Sequence, residues 1–322
     1  MLGRYNREMT IAVVLGALVV YLGLTQETFL NPQTIANVLT NAAYVAVISV
    51  GMTLVILAGQ LDISVGSMLA VCGLTAGALA RAGIPMPLVV LTSLLLGFAM
   101  GALNGSLVAY LGIPSIIVTL AMLTILRGIV LWWTKGYWIM PLPPEWKFLG
   151  TTVVLGLPLP VWISWGVVLL SALLVSNTLF GRWIYAVGSN AKAAALAGID
   201  VPRVTFWVFA LNGFLVGLGT MIHVTRFSQV QTQEGLGLEF LAITAVVVGG
   251  TNIFGGSGTV LGTYLGVLLI VVTSSALTFL GIPATWDQAI RGAFILFAVS
   301  MDILRMHVQG RRRFVTGLRT PE

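Results

Sequence analysis

Long apolar runs recur along the whole chain, and they leave little room for a water-soluble fold. Most of the runs approach the roughly 20 residues that a helix needs to cross the hydrocarbon core of a bilayer. Charged residues make up only 8% of the 322 residues and hydrophobic residues make up 58%, whereas soluble domains carry about 25% charged residues. We therefore expect an all-α integral membrane protein, a polytopic bundle that forms a single transmembrane domain over residues 1–322.

Ten apolar runs predict about ten transmembrane helices. The first run follows Arg4 and Arg7 as a signal peptide would, but no small-residue cleavage site follows it, which favours an uncleaved helix. The eighth run is short enough to be a partial or re-entrant helix. The predicted spans cover residues 9–24, 41–59, 63–80, 88–111, 113–133, 161–177, 204–222, 239–250, 259–280 and 286–303.

Lysine and arginine are distributed unequally between the two sides of the predicted bundle. Ten of these residues flank the spans on the side that holds both termini, and four lie on the other side. Because cytoplasmic loops carry the excess of basic residues, both termini are expected to be cytoplasmic. This orientation makes residues 178–203 a cytoplasmic loop and residues 304–322 a basic cytoplasmic tail. The net charge of +6 then reflects membrane topology, and no nucleic-acid partner is expected.

Two sequence features concern the packing and arrangement of the helices. Glycines four residues apart, such as Gly97, Gly101 and Gly105, favour close helix contact more than solute contact. Residues 102–108 and 210–216 agree at six of seven positions and run in opposite predicted directions. This echo is explained either by inverted repeats around a central site or by a chance match in a low-complexity composition.

The chain lacks the motifs of an energy source. A phosphate-binding loop needs glycine before its lysine, but the three lysines follow Thr134, Trp146 and Ala191. No predicted span carries two acids at helical spacing, as a proton relay would. The single cysteine excludes an internal disulfide, and two histidines without a cysteine cluster disfavour a metal site built by the protein. Arg127 is the deepest charge, and a pore-lining role and a structural ion pair both remain open.

A short capped helix is predicted inside the 178–203 loop. Ser189 or Asn190 can cap its first turn, Ala191–Ala197 are strong helix formers, and Gly198 suits a left-handed end. Two turns are too few to be stable alone in water, so the helix either docks on a separate motor or lies on the bundle as a linker. The residues predicted to couple to a motor are Gly188, Asn190, Ala193, Ala194 and Gly198.

Four ordered blocks resemble one family of transport proteins. They are GQLDISVGS at residues 59–67, LRG at 126–128, the stretch 181–199, and the stretch 245–258. Together they resemble the membrane permease subunits of bacterial sugar ABC importers, which include ribose, xylose, galactose, rhamnose and autoinducer-2 systems. Residues 113–120, 226–229 and 276–281 are most similar to the rhamnose and autoinducer-2 branch.

The resemblance implies an inner-membrane permease that forms the path for a sugar or sugar-like solute. It implies a dimer with a second permease copy or paralogue, cytoplasmic ATP-binding subunits that hold ATP and Mg²⁺, and a periplasmic binding protein. It also identifies the capped helix as a coupling helix, and it implies no cofactor and no enzymatic activity in this chain. Gln60 departs from the pattern, because relatives usually have glycine there.

The candidates for the translocation path or gate are polar residues in or near the spans. Each could contact solute or hydrogen-bond neighbouring helices, and for Asp62 we favour a structural cap or hinge. The main alternative for the chain is a motor-independent carrier or facilitator, while a membrane enzyme would need clustered His, Asp or Cys. The candidates are Asn41, Gln60, Asp62, Ser64, Asn104, Thr119, Thr124, Arg127 and Asn212.

Overall fold

Helices form nearly all of the regular structure. The structure is a computed structural model that describes residues 2–283, 285–290, 292–294, 296 and 300. The last predicted span therefore lies partly outside the described residues, and the 304–322 tail lies wholly outside them. The helices are α1 (Leu2–Thr25), α2 (Pro32–Leu57), α3 (Val65–Arg81), α4 (Met86–Ala109), α5 (Ser115–Thr134), a 3₁₀ turn (Pro144–Lys147), α6 (Phe148–Thr151), α7 (Leu159–Asn177), α8 (Leu179–Ser189), α9 (Ala191–Leu196), α10 (Val201–Val224), α11 (Leu238–Val248) and α12 (Val260–Phe279).

Seven helices in the described part of the chain are long and apolar enough to cross a membrane. The helices α3 and α11 are apolar but shorter. The all-α expectation needs one small correction: β1 (Val153–Val154) and β2 (Leu157–Pro158) pair antiparallel. Leu155 and Gly156 form the turn of this hairpin with positive φ angles of 51° and 80°.

The predicted second span began too late. Helix α2 starts at Pro32, where the Asn31 side chain accepts a hydrogen bond from the Gln33 N–H, a standard helix start. The first three turns carry Gln33, Asn37 and Asn41, so hydropathy alone excluded them from the span. From Ala42 to Leu57 the helix is apolar and almost wholly buried.

Helix α10 packs antiparallel against α4 through backbone contact. The pairs run in opposite order: Ser93 Oγ donates to the Gly217 carbonyl oxygen at 3.0 Å, while Gly105 lies against the Phe206 backbone. A Cβ atom on Gly97 or Gly213 would collide with the carbonyl oxygen of the other. The glycine ridges predicted from four-residue spacing therefore do pack helix against helix.

The helices form two sets with the same order of lengths, long, short and long. In the first set, α2, α3 and α4 follow one another; in the second, α10, α11 and α12 do so. Helix α10 packs on α2, and α12 packs on both α2 and α11. Helix α1 lies at the edge, where Leu22 contacts Val272 and Ala276 of α12 in a small apolar cluster.

The bundle has two ends that differ in structure. At one end, which we call the α9 face, the C-terminus of α2 meets α8 and the glycine-rich loop 249–259. At the other end, which we call the hairpin face, the N-terminus of α2 lies near the 150–158 segment and Arg226.

Candidate functional site

A polar turn with a buried centre connects α2 to α3. Asp62 and Ser64 in this turn have no solvent exposure. The Asp62 Oδ1 atom accepts hydrogen bonds from the Ser64 backbone N–H at 2.9 Å and from the Ser64 hydroxyl at 2.6 Å. The carboxylate therefore folds the chain back on itself directly before α3 begins.

Two asparagines from different helices complete the carboxylate's surroundings. Asn212 on α10 donates to Asp62 Oδ2 at 2.9 Å, and Asn104 on α4 donates to Ser64 Oγ at 2.9 Å. Both asparagines are fully buried. Both are the third residue of the matching segments 102–108 and 210–216. The two antiparallel helices α4 and α10 therefore each supply an asparagine to the same turn.

Helix α5 holds the same turn from a third direction. The Leu61 N–H donates to Ser115 Oγ at 3.3 Å, and the Thr119 hydroxyl donates to the Leu61 carbonyl at 3.5 Å. We call residues 58–64 together with Asn104, Ser115, Thr119 and Asn212 the buried polar turn. It ties α2, α3, α4, α5 and α10 to one point.

The buried polar turn acts first as a structural element. A carboxylate inside a membrane bundle is costly unless donors satisfy it, and Asp62 has three. Because its oxygens are enclosed and already bonded, solute cannot reach Asp62, Ser64, Asn104, Thr119 or Asn212 in this conformation. Such a network favours one arrangement of the helices that it joins.

The remaining path candidates lie in four different settings. Gln60 is half-buried in the turn. Thr124 is exposed on the outer side of α5 and donates to the carbonyl of Ala121 on its own helix. Asn41 accepts a 2.6 Å hydrogen bond from Arg226 Nη1 at the hairpin face. The Arg127 side chain hydrogen-bonds the loop between α10 and α11.

Arg127 holds the connection between α10 and α11. Its Nη1 atom donates to the carbonyl oxygens of Thr232 and Glu234, each at 3.1 Å. The Glu234 carboxylate lies 2.9 Å from His223 Nε2, and Glu239 lies close enough to attract the guanidinium. We call residues 229–237 the strap. Arg127 thus contacts backbone carbonyls rather than an open pore.

The predicted capped helix is present as α9. The Asn190 side chain accepts from the Ala193 N–H at 3.0 Å, and Gly198 has a φ of 83°. Ala194 is buried against the bundle, whereas Ala193 is exposed. Leu196 is 91% exposed, so α9 presents a large apolar side chain at its outer side.

Helix α8 joins α9 to the buried polar turn through backbone contact. Gly188 packs so closely on the Leu57 carbonyl that a Cβ there would collide with it. The Gly256 N–H donates to the same carbonyl at 3.0 Å, and the Tyr185 hydroxyl donates to the Gly258 carbonyl at 2.8 Å. We call Leu57–Gly59, Gly188 and Gly255–Gly256 the glycine junction. Gly188, predicted to couple to a motor, is half-buried and packs against the end of α2.

A groove of about 680 Å³ opens beside the glycine junction. Arg182, Tyr185 and the glycine-rich loop line it. Glu8 of α1 hydrogen-bonds the Thr259 hydroxyl at its edge, at the N-terminus of α12. Within the residues that the structure describes, no group of three or more His, Cys, Asp or Glu could hold a metal ion.

Membrane-length helices, a bundle bound together at a buried turn, and a capped helix exposed at one face define the class of membrane transport permeases. The family model for the permease component of the branched-chain amino acid transport system matches residues 34–299. The chain therefore belongs to this family of permease components, in which ATP hydrolysis is the task of a separate subunit.

Several relatives are similar over nearly the whole chain. The autoinducer 2 import system permease protein LsrC of Salmonella typhi is 38% identical over 297 residues, which cover 92% of this chain and 86% of the relative. The proteins of that name from Shigella flexneri and Escherichia coli O9:H4 (strain HS) are each 37% identical, with 92% of this chain and 87% of the relative covered. No solved structure matches the chain. The resemblance to ABC importer permeases is confirmed.

Sequence reasoning missed three groups of residues. Ser115 accepts a hydrogen bond from the turn, and nothing in the sequence distinguishes it from other serines. Gly255 and Gly256 were treated only as part of a loop, although their positive φ angles of 92° and 73° let the backbone approach Gly59 and Ser189. The third group is Gln33 and Asn37, which could have been found from their spacing of four and eight residues from Asn41, a predicted candidate.

Proposed function

We propose that this permease carries a small hydroxyl-rich solute of the autoinducer-2 or rhamnose type into the cell as part of an ATP-driven importer. The names of the relatives support the solute class. Sparse neutral polar groups in the bundle suit such a solute, because hydroxyls need hydrogen-bonding partners without tight binding. The chain itself performs no covalent chemistry.

The proposed assembly places two permease chains, identical or paralogous, in the bacterial inner membrane. ATP-binding subunits with ATP and Mg²⁺ bind the α9 face, which is cytoplasmic like both termini, and a periplasmic binding protein docks on the hairpin face. The excess of Lys and Arg on the α9 side supports this orientation. Residues 178–203 then form the coupling loop, and residues 304–322 form a basic tail.

One observation carries the mechanism: the continuous contact from α9 to the buried polar turn. Asn190 links α9 directly to α8, Gly188 of α8 packs on Leu57, and Leu57 leads within five residues to Asp62. Displacement of α9 by a motor subunit therefore reaches the point where five helices are tied together. Because packed interfaces switch between discrete arrangements, we expect the bundle to alternate between two openings.

We further propose ten transmembrane spans built from inverted repeats, with α2–α3–α4 matching α10–α11–α12. The shared order of long, short and long helices supports the match, and so does the antiparallel packing of α2 with α10. In this scheme the turn between α2 and α3 corresponds to the segment between α10 and α11, which contains the strap. The short helix α11 is the partial span. The seven-residue echo then marks two packed neighbours, α4 and α10, rather than equivalent helices.

Leu196 offers a direct test of coupling through α9. Leu196→Glu places a charge on the exposed contact side of α9, so we expect binding of the ATPase subunits to weaken by about tenfold or more, as for a desolvated interface anchor. Transport-coupled ATP hydrolysis in proteoliposomes should fall in parallel. The control is Leu155→Glu, because Leu155 is 87% exposed in the hairpin at the opposite face and should tolerate the charge.

The same proteoliposomes separate the importer from a motor-independent carrier. An importer accumulates solute only with ATP, the ATPase subunits and loaded binding protein. Accumulation by this chain alone, abolished by ionophores, would contradict the proposal. Unchanged ATPase binding in Leu196→Glu would contradict the coupling role of α9.

A further inference from the structure

Three carboxamide side chains form a stripe on the hairpin-face end of α2. Gln33, Asn37 and Asn41 are spaced four residues apart, so they lie on one side of the helix. All three are exposed, although the helix is apolar and buried from Ala42 onward. Asn41 lies roughly 13 Å along the axis from the helix start, deeper than the polar groups of a helix end usually extend.

A cavity of about 490 Å³ adjoins this stripe. Gln33, Asn37 and Thr40 line one side of it, and the 150–158 segment, which includes the β-hairpin, lines the other. The volume is within the range of pockets that hold small molecules, about 300–1,000 Å³. The cavity is open, which suits brief occupancy.

Arg226 adds a cation to the cavity wall. It donates to Asn41 at 2.6 Å, and its guanidinium lies 5.8 Å from the centre of the Phe227 ring. Among the described residues no carboxylate lies within ion-pair distance of it. Partial burial lowers the pKa of the Arg226 guanidinium, yet one side-chain acceptor meets only one of its five N–H donors. Tyr44 also lies near enough to attract the guanidinium, and Arg226 lines the cavity with N–H donors that Asn41 does not occupy.

We propose that this cavity is a low-affinity binding site for a neutral polyhydroxylated solute at the entrance of the permease. Carboxamides both donate and accept hydrogen bonds, as hydroxyl groups do, and the guanidinium can donate to two neighbouring hydroxyl oxygens. Gln33 and Asn37 are uncharged, and Arg226 is the one cation among the described residues that line the cavity. The inference deepens the proposed function and rests on it, because it specifies where the solute first contacts this chain.

The test measures solute binding to the full chain in nanodiscs by saturation-transfer NMR, without ATP or partner proteins. L-rhamnose and D-ribose are the neutral probes, and gluconate is a hydroxyl-rich anion for comparison. Asn37→Leu removes an amide at similar volume, Gln33→Leu does so one turn away, and Arg226→Gln removes the cation. We expect each variant to weaken sugar binding by about five- to tenfold, as the loss of one hydrogen bond implies.

Gln26→Leu is the matched control, since Gln26 lies between α1 and α2 on the same face and does not line the cavity. It should bind the sugars like the unaltered chain. Unchanged sugar binding in both Asn37→Leu and Gln33→Leu would overturn the inference. Tighter binding of gluconate than of L-rhamnose would also overturn it, because the site would then be an anion site.

A second measurement excludes a different occupant, an acidic side chain of the periplasmic binding protein on Arg226. The affinity of solute-free binding protein for the assembled importer should be the same with Arg226→Gln. Loss of that affinity, with sugar binding to the nanodiscs intact, would overturn the inference. Failure of the importer to couple ATP hydrolysis to uptake would instead contradict the proposed function, and the NMR experiment does not depend on it.

Discussion

Asp62 shows how one residue's role depends on partners that are distant in the sequence. The GQLDISVGS block marks the turn as unusual, and Ser64 is near enough in sequence to be expected as a donor. Asn212, which is 150 residues away, becomes a partner only because glycines let α10 approach α4. A buried carboxylate without a cation beside it requires neutral donors, and the fold supplies two of them from one residue, Ser64.

The pairing of Asp62 with Asn212 can be tested by exchanging the two side chains. Asp62→Asn leaves an amide group facing either the Ser64 or the Asn212 donor, so one buried hydrogen bond is lost at a cost of about 1–3 kcal/mol. Asn212→Asp places two carboxylates together and should cost more. The double exchange restores one acid and one amide, so the apparent melting temperature in detergent should recover part of the loss.

A matched control comes from the outer side of α5. Thr124→Val removes a hydroxyl that bonds only to carbonyls of its own helix, and it should leave the melting temperature nearly unchanged. If the effects of Asp62→Asn and Asn212→Asp simply added in the double variant, the two residues would not be coupled, and the network described above would be wrong.

At the scale of helices, the sequence predicted that a helix forms better than where the helix begins and ends or which of its residues are buried. Nine of the ten predicted spans correspond to described helices, because an apolar stretch of that length has few alternatives in a membrane. The cap of α9 was also predictable, since Asn190 and Gly198 act locally. The contact of Gly188 with the Leu57 carbonyl was not predictable, because Leu57 is far away in the sequence.

Glycine spacing by itself does not show which glycines are needed, but the packing does. Gly213→Ala puts a methyl group against the Gly97 carbonyl, so α4 and α10 must separate, and we expect a loss of about 1–3 kcal/mol. Gly166→Ala on α7 meets no atom within 4 Å and should be neutral or stabilising by up to about 1 kcal/mol. Thermal unfolding of both variants in the same detergent compares them.

An equal loss of stability in the two glycine variants would show that helix propensity, not packing, dominates. A loss of stability in Gly213→Ala but not in Gly166→Ala would support close backbone contact as the main packing interaction between α4 and α10. Gly101 lies in the same contact, against the Phe209 carbonyl, so Gly101→Ala should behave like Gly213→Ala and serves as an independent repeat of the test.

For the whole molecule, the proposed function assigns a different role to each of the two faces. The α9 face presents an exposed leucine and close backbone contacts, which suit transmission of force. The hairpin face presents amides, hydroxyls and one cation around an open cavity, which suit brief contact with a hydroxyl-rich solute. The buried polar turn follows the C-terminus of α2, which lies at the α9 face. A movement of α9 would therefore be transmitted over a short distance to the helices that enclose the proposed translocation path.

The orientation of these faces is open to direct chemical labelling, because the native cysteine gives little background. Cys72 is fully buried, so a membrane-impermeant maleimide should not reach it in the folded protein. Lys192→Cys on α9 should be labelled only after the inner membrane is permeabilised. Tyr137→Cys should be labelled in intact spheroplasts, since Tyr137 is 75% exposed at the hairpin face. The reverse pattern would contradict the positive-inside assignment, and with it any docking of ATPase subunits on α9, because ATP is supplied from the cytoplasm. Labelling of both positions in intact spheroplasts would mean that the chain does not adopt one orientation.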